Sequence, residues 1–227
     1  MLETKYLITL LAAILGAFIA QLLSHFLTYC REKKKEEKEV YQKLVAPFLK
    51  DVLFYINGET LFRKGHDLEE RVDIEKVIED ISQNLKYGDS KLNLALFKYQ
   101  NSRGIYDASG FHKDSGRLEF LYWYLDFVMN NGLKSLEYDD LESFEFVNYI
   151  RKSQIKCGMW YLFCQKIGLE DSSFKIATLF VYSSNPFAFY TVNDISKIIK
   201  SGERISEITI FFDQNKEYKV MKIEDIN

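Results

Sequence analysis

Residues 6–29, YLITLLAAILGAFIAQLLSHFLTY, decide how the rest of the chain is read, because no charged side chain occurs among them. As a helix, a run of this length covers a hydrocarbon layer about 30 Å thick. Backbone groups in lipid must be satisfied within their own segment, so the run is expected to be helical. A cleaved signal peptide would carry an apolar region about half as long, closed by small residues, and neither condition is met. Lys5 alone precedes the run, whereas Arg31, Lys33, Lys34, Lys35 and Lys38 follow it. That asymmetry predicts a single-pass protein of the cell membrane, with the N-terminus outside and the C-terminal domain cytoplasmic. The lipid bilayer is then its first partner.

Within the run, Ala12, Gly16, Ala20, Ser24 and Thr28 recur every four residues. Small side chains in register let helix backbones approach closely, which drives association where no hydrophobic effect operates between apolar helices. Gln21 and His25 border this ridge and are placed to hydrogen-bond across a seam. The ridge predicts a homo-oligomer meeting along Ala12, Gly16, Ala20 and Ser24, with Gln21 and His25 beside it.

Three regions are expected: a transmembrane anchor over 1–30, a charged stalk and connecting helix over 31–56, and one domain over 57–227. Eighteen Phe, fifteen Tyr and 47% hydrophobic residues supply enough apolar surface for a core, and two Pro and eleven Gly leave little for long linkers. Apolar residues at helical spacing mark helices from Val40 to Ile56, from Val72 to Leu85 and from Lys91 to Gln100. Pro47 should kink or break the first of these. Asn101 to Arg117, with three glycines, reads as the longest loop. RLEFLYWYLDFVMNN and the stretch from Tyr138 to Gly168 read as two more helices, each stopping at a glycine. The aromatic series Phe120, Tyr122, Trp123, Tyr124 and Phe127 runs nearly all round its helix, as in a buried core element. FKIATLFVYS is rich in β-branched and aromatic residues and reads as a strand, VNDISKIIKSG as a short helix, and ISEITIFFDQNKEYKVMKIED as a hairpin bending at Asp213 to Lys216. The class expected is α+β: one N-terminal transmembrane helix, then a mostly helical cytosolic domain to about residue 170, with a small C-terminal β element over 171–227.

A formal net charge of -3 excludes the global positive field that a nucleic-acid partner requires. Three cysteines, none two residues from another, give neither a closed disulfide set nor a metal or redox pair. The three histidines have no partner at metal-ligand spacing, so no metal and no cofactor is expected. Phosphate-loop, nucleophile-elbow and zinc-helix motifs do not occur. Asp139, Asp140, Glu142 and Glu145 stand at a helix start, where acids favour the dipole. His112, Lys113, Asp114 and Arg117, in the glycine-flanked loop, form a candidate ligand loop with donors and a general base.

These observations predict a non-enzymatic, membrane-anchored sensing or interaction domain that self-associates and takes a small ligand or a protein partner. In outline, one helix on a small sensor-like domain is similar to bacterial membrane effectors of phage defence. The alternatives are an anchored enzyme acting on a nucleotide or lipid headgroup, and a plain membrane scaffold.

Overall fold

The computed structural model describes residues 2–61, 63–67, 71–104, 111–134, 141–182, 191–201, 207–211 and 218–222, and at 2–5, 7–10, 12–13, 66–67, 141, 181–182, 201 and both strands it describes the backbone only. The described residues are nearly all helical. Helix α1 spans Leu2–Val40 and runs without a break into a π-helical turn, Tyr41–Val45. The turn that follows holds Pro47, and α2 (Leu49–Glu59) begins two residues later, so the proline ends the first helix as its missing N–H requires. Then come α3 (Lys64–Asp67), α4 (Ile74–Gln83), a 3-10 turn, α5 (Ser90–Gly104) and α6 (Phe111–Phe127). A second π-turn, Val128–Gly132, closes α6. The long α7 (Leu141–Ile167), then α8 (Leu169–Tyr182) and α9 (Val192–Ser201) complete the helical body.

The core is organised around α6. Every residue from Ser115 to Val128 is buried, which its all-round aromatic pattern requires. Helices α5 and α7 pack on its two sides, and α7 carries α2, α8 and α9 in turn. The polar tips of the buried aromatics are satisfied: the Tyr122 hydroxyl donates to the Val192 carbonyl at 3.1 Å, and Tyr124 to the Leu44 carbonyl at 2.9 Å. The latter contact joins α6 to the first π-turn, which also packs against the second.

The α+β class is corrected to a mostly helical fold. FKIATLFVY, residues 174–182, lies in α8, not in a strand, because the buried residues of that helix, Ser172, Ser173, Ile176, Ala177 and Leu179, repeat at helical rather than alternating spacing; the last residue of the expected strand, Ser183, lies outside the described residues. Acidic Glu170 and Asp171 in the first turn favour the helix dipole. The β content described is one antiparallel pair, β1 (Glu207–Phe211) with β2 (Tyr218–Lys222), Glu207 opposite Lys222 and Phe211 opposite Tyr218. Its bend at Asp213 to Lys216 lies outside the described residues.

The membrane-spanning anchor is corrected too. Among the described residues no helix is long and apolar enough to cross a membrane. Over residues 14–30, where side chains are described without a gap, Gln21, Ser24, His25 and Thr28 interrupt the apolar run and Arg31 closes it. The expected transmembrane, single-pass placement in the cell membrane, N-terminus outside and domain cytoplasmic, falls with it.

The Asn101–Arg117 loop is largely helix, its two ends belonging to α5 and α6, while residues 105–110 lie outside the described residues. Of the acidic series, Asp139 and Asp140 also lie outside them, and Glu142 sits in the first turn of α7. At Gly168, φ is +82°, and a Cβ there would stand 2.5 Å from the Phe111 ring. This conformation lets α7 stop and α8 start at once, the Gly168 N–H donating to the Cys164 carbonyl at 3.0 Å and the Ser172 N–H to the Gly168 carbonyl at 3.2 Å. Gly168→Ala is therefore expected to lower stability by about 2 kcal/mol, from left-handed strain plus displacement of the ring. Urea denaturation checks this, and an unchanged midpoint would show that the joint relaxes freely.

Candidate functional site

Of the candidate loop residues, three come together on the first turns of α6. Arg117 is only 9% exposed, and its guanidinium forks between two carboxylates: Nη1 donates to Glu75 Oε1 at 3.1 Å and Nη2 to Asp114 Oδ1 at 2.7 Å. Asp114 is one helical turn away on α6, whereas Glu75 arrives from the start of α4, where the Asp73 side chain caps the helix by accepting from the Lys76 N–H. Lys113 Nζ also reaches Glu75, at 3.5 Å, and the Tyr99 hydroxyl of α5 donates to its other oxygen. Burial alone would raise the Glu75 pKa, but the Tyr99 hydrogen bond and the charges of Arg117, Lys113 and Arg103 outweigh it and hold the carboxyl below its ordinary value. The Arg117 Nε is buried with no hydrogen-bond partner among the described residues. His112 is exposed on the same turn.

Beside this cluster lies a cleft of about 560 Å³ between α2, α4, α7 and α8. Tyr55 and Trp160 line one wall, their rings stacked at 5.7 Å, and the Arg117 guanidinium lies over Tyr55. Lys64 on the rim pairs with Glu59 at 3.1 Å and donates to Ser173. Sequence reasoning named Asp114 and Arg117 as parts of a ligand loop, whereas they lie three apart on one helix, where an acid and a base face each other. It missed Glu75, Tyr99, Tyr55, Lys64 and Trp160, which reach the site from other helices with no local signal.

The two thiols of α7 give no nucleophile. Cys157 and Cys164 are wholly buried on α7, and burial pushes the Cys157 thiol far up and the Cys164 thiol up to about 12, so both stay protonated at neutral pH.

On α1, Gly16, Ala20, Ser24, Gln21 and His25 are all exposed, while the Ala12 side chain lies outside the described residues. Around them Leu15, Phe18, Ile19, Leu22, Leu23 and Phe26 are each more than half exposed. Comparison with family models, curated proteins and solved structures finds no match for this chain.

Proposed function

We propose that this chain is a non-enzymatic interaction protein whose copies associate through α1. The observation that carries the reading is the row of large apolar side chains on α1, each more than half exposed and none covered by the helical body. Apolar area of this extent marks an interaction surface. Burying one such leucine or phenylalanine contributes about 1.5–3 kcal/mol. Leu15, Ile19, Leu22, Phe26 and Tyr29 stand alternately four and three apart, the spacing of a helix seam that packs against its own copy. Gly16, Ala20 and Ser24 turn away from that seam. The hydrophobic effect, rather than close backbone approach along the small ridge, then drives assembly. The acid–base groups beside the cleft also suit binding more than catalysis, because they are engaged with one another.

Sedimentation velocity and crosslinking of the full chain test this. Leu22→Glu is expected to weaken association roughly thirtyfold, from the loss of about 2 kcal/mol of apolar burial, whereas Gly16→Ile should leave it intact. Association that survives Leu22→Glu, or is lost only in Gly16→Ile, would overturn the seam. A monomer that floats with lipid vesicles would assign the apolar face to lipid instead.

A further inference from the structure

The apolar row on α1 accepts a second copy running in either direction, and the root of the helix discriminates between the two. Lys33, Glu36 and Val40 continue the alternate four-and-three spacing of Leu22, Phe26 and Tyr29. No break interrupts α1 between Leu2 and Val40. Val40 lies about five whole turns beyond Leu22, so the two share one side of the helix. Residues 31–36 are exposed, whereas Val40 packs against the helical body. The body therefore stands on the seam side of its own α1.

A parallel second copy meets two obstacles. Near the root its α1 would have to pass along the seam side at Val40, in the space that the first body fills. Before that, Lys33 would face Lys33 and Glu36 would face Glu36 at successive seam positions. Like charges so placed repel, and an unbroken helix offers no hinge at which to splay.

An antiparallel copy meets neither. With Leu15 opposite Phe26 of the second copy and Ile19 opposite its Leu22, each pair occurs twice by symmetry and the two apolar rows cover one another. Carried outward along the sequence, the same register sets Lys5 opposite Glu36, so opposite charges stand at each end where a parallel pair has like ones. It also sets Leu2 opposite Glu39, so each rod ends where the body of the other begins.

Building on the self-association through α1, we propose that the second copy lies antiparallel to the first, Leu15 against Phe26 and Ile19 against Leu22. The dimer is then a two-headed rod with one helical body at each end, the roots of the two bodies about 60 Å apart at 1.5 Å per residue. Two identical bodies at that separation form a spacer that bridges two distant sites, with an avidity set by how well their distance matches the rod.

Disulfide trapping in the full chain carrying Cys30→Ser reads the direction. Leu15→Cys mixed with Phe26→Cys is expected to give a crosslinked pair. Neither variant alone should, because in this register the two copies of either residue lie about 16 Å apart along the rod, beyond disulfide reach. A crosslink of each variant with itself would show a parallel pair and overturn the proposal while leaving self-association standing. No crosslink in any mixture would overturn the register, and sedimentation of the unsubstituted chain then shows whether association itself fails with it. Glu36→Lys, on the exposed stretch clear of the body, gives an independent reading. Association should weaken about fivefold and recover when Lys5→Glu is added. Unchanged association in Glu36→Lys, or a loss that Lys5→Glu does not repair, would also overturn it.

Discussion

Trp160→Ala is expected to lower the stability of the helical body by about 4 kcal/mol, the largest effect of any single substitution considered. The indole is wholly buried on α7 and joins three helices: its ring stacks on Tyr55 of α2, and its Nε1 donates to the Ser172 hydroxyl of α8 at 3.0 Å. Truncating a buried tryptophan costs about 3–5 kcal/mol in lost transfer energy and cavity formation. The stacked pair adds about 0.5–1.5 kcal/mol. The void would adjoin the cleft that Trp160 lines, so water can enter it and the loss stays below the sum of those upper limits. Trp160→Phe keeps a ring against Tyr55 and should cost about 1–2 kcal/mol, the share of the hydrogen bond and the lost volume. Urea denaturation followed by circular dichroism reads both. A loss in Trp160→Ala no greater than in Trp160→Phe would mean that α2 and α8 are not held through this ring.

Arg117→Leu is expected to cost about 3 kcal/mol near neutral pH. Removing one partner of a buried ion pair strands the other charges, at about 3–5 kcal/mol where burial is complete. Glu75 and Asp114 keep about a third of their side-chain surface in water, which places the figure at the low end. Neutralising the whole cluster, Arg117→Met with Glu75→Gln and Asp114→Asn, should recover most of the loss, since no charge is then left without a partner. The effect depends on pH in a fixed direction. The Glu75 pKa is depressed in the folded state, so its contribution is present above the unfolded pKa and is lost as pH falls through the folded one. Denaturation midpoints of wild type and Arg117→Leu should therefore converge below the ordinary carboxylate range. A gap that holds constant into acid would place the Arg117 contribution in packing against Tyr55 rather than in the ion cluster.

The contrast between Arg117 and α8 shows what could be read in advance. The all-round apolar pattern of Phe120 to Phe127 places α6 at the centre because no other position buries every face of a helix. Pro47 and Gly168 act locally, through a missing N–H and a left-handed backbone, and so are legible without tertiary information. FKIATLFVYS was not, because β-branched and aromatic composition describes a fit to a half-buried surface, which α8 also offers. Gly116 misled differently. It reads as a turn residue, yet it lies inside α6 where an added Cβ would meet the Ser102 hydroxyl at 2.6 Å, so glycine serves close packing of α5 on α6. The Asp114–Arg117 half of the ion cluster sits on one helix, in a stretch whose glycines read as a loop. Glu75 and Tyr99 belong to it only through the packing of α4 and α5 on α6. The single-pass anchor is overturned because, among the described residues, no helix is long and apolar enough to cross a membrane, and Gln21, Ser24, His25 and Thr28 interrupt the apolar run over 14–30.

The junction of α1 with the body has a mechanical meaning. The helix passes into its π-turn with no loop between, and Tyr124 from the middle of the core donates to the Leu44 carbonyl in that turn. A rod of 39 residues, about 58 Å long at 1.5 Å per residue, is thus clamped at its root. A tilt of about 10° at the clamp would sweep the free end through about 10 Å, roughly one helix diameter. Small rotations at the root are geared up along α1, so loosening the Tyr124 contact alone would swing the far end of the rod through about its own width.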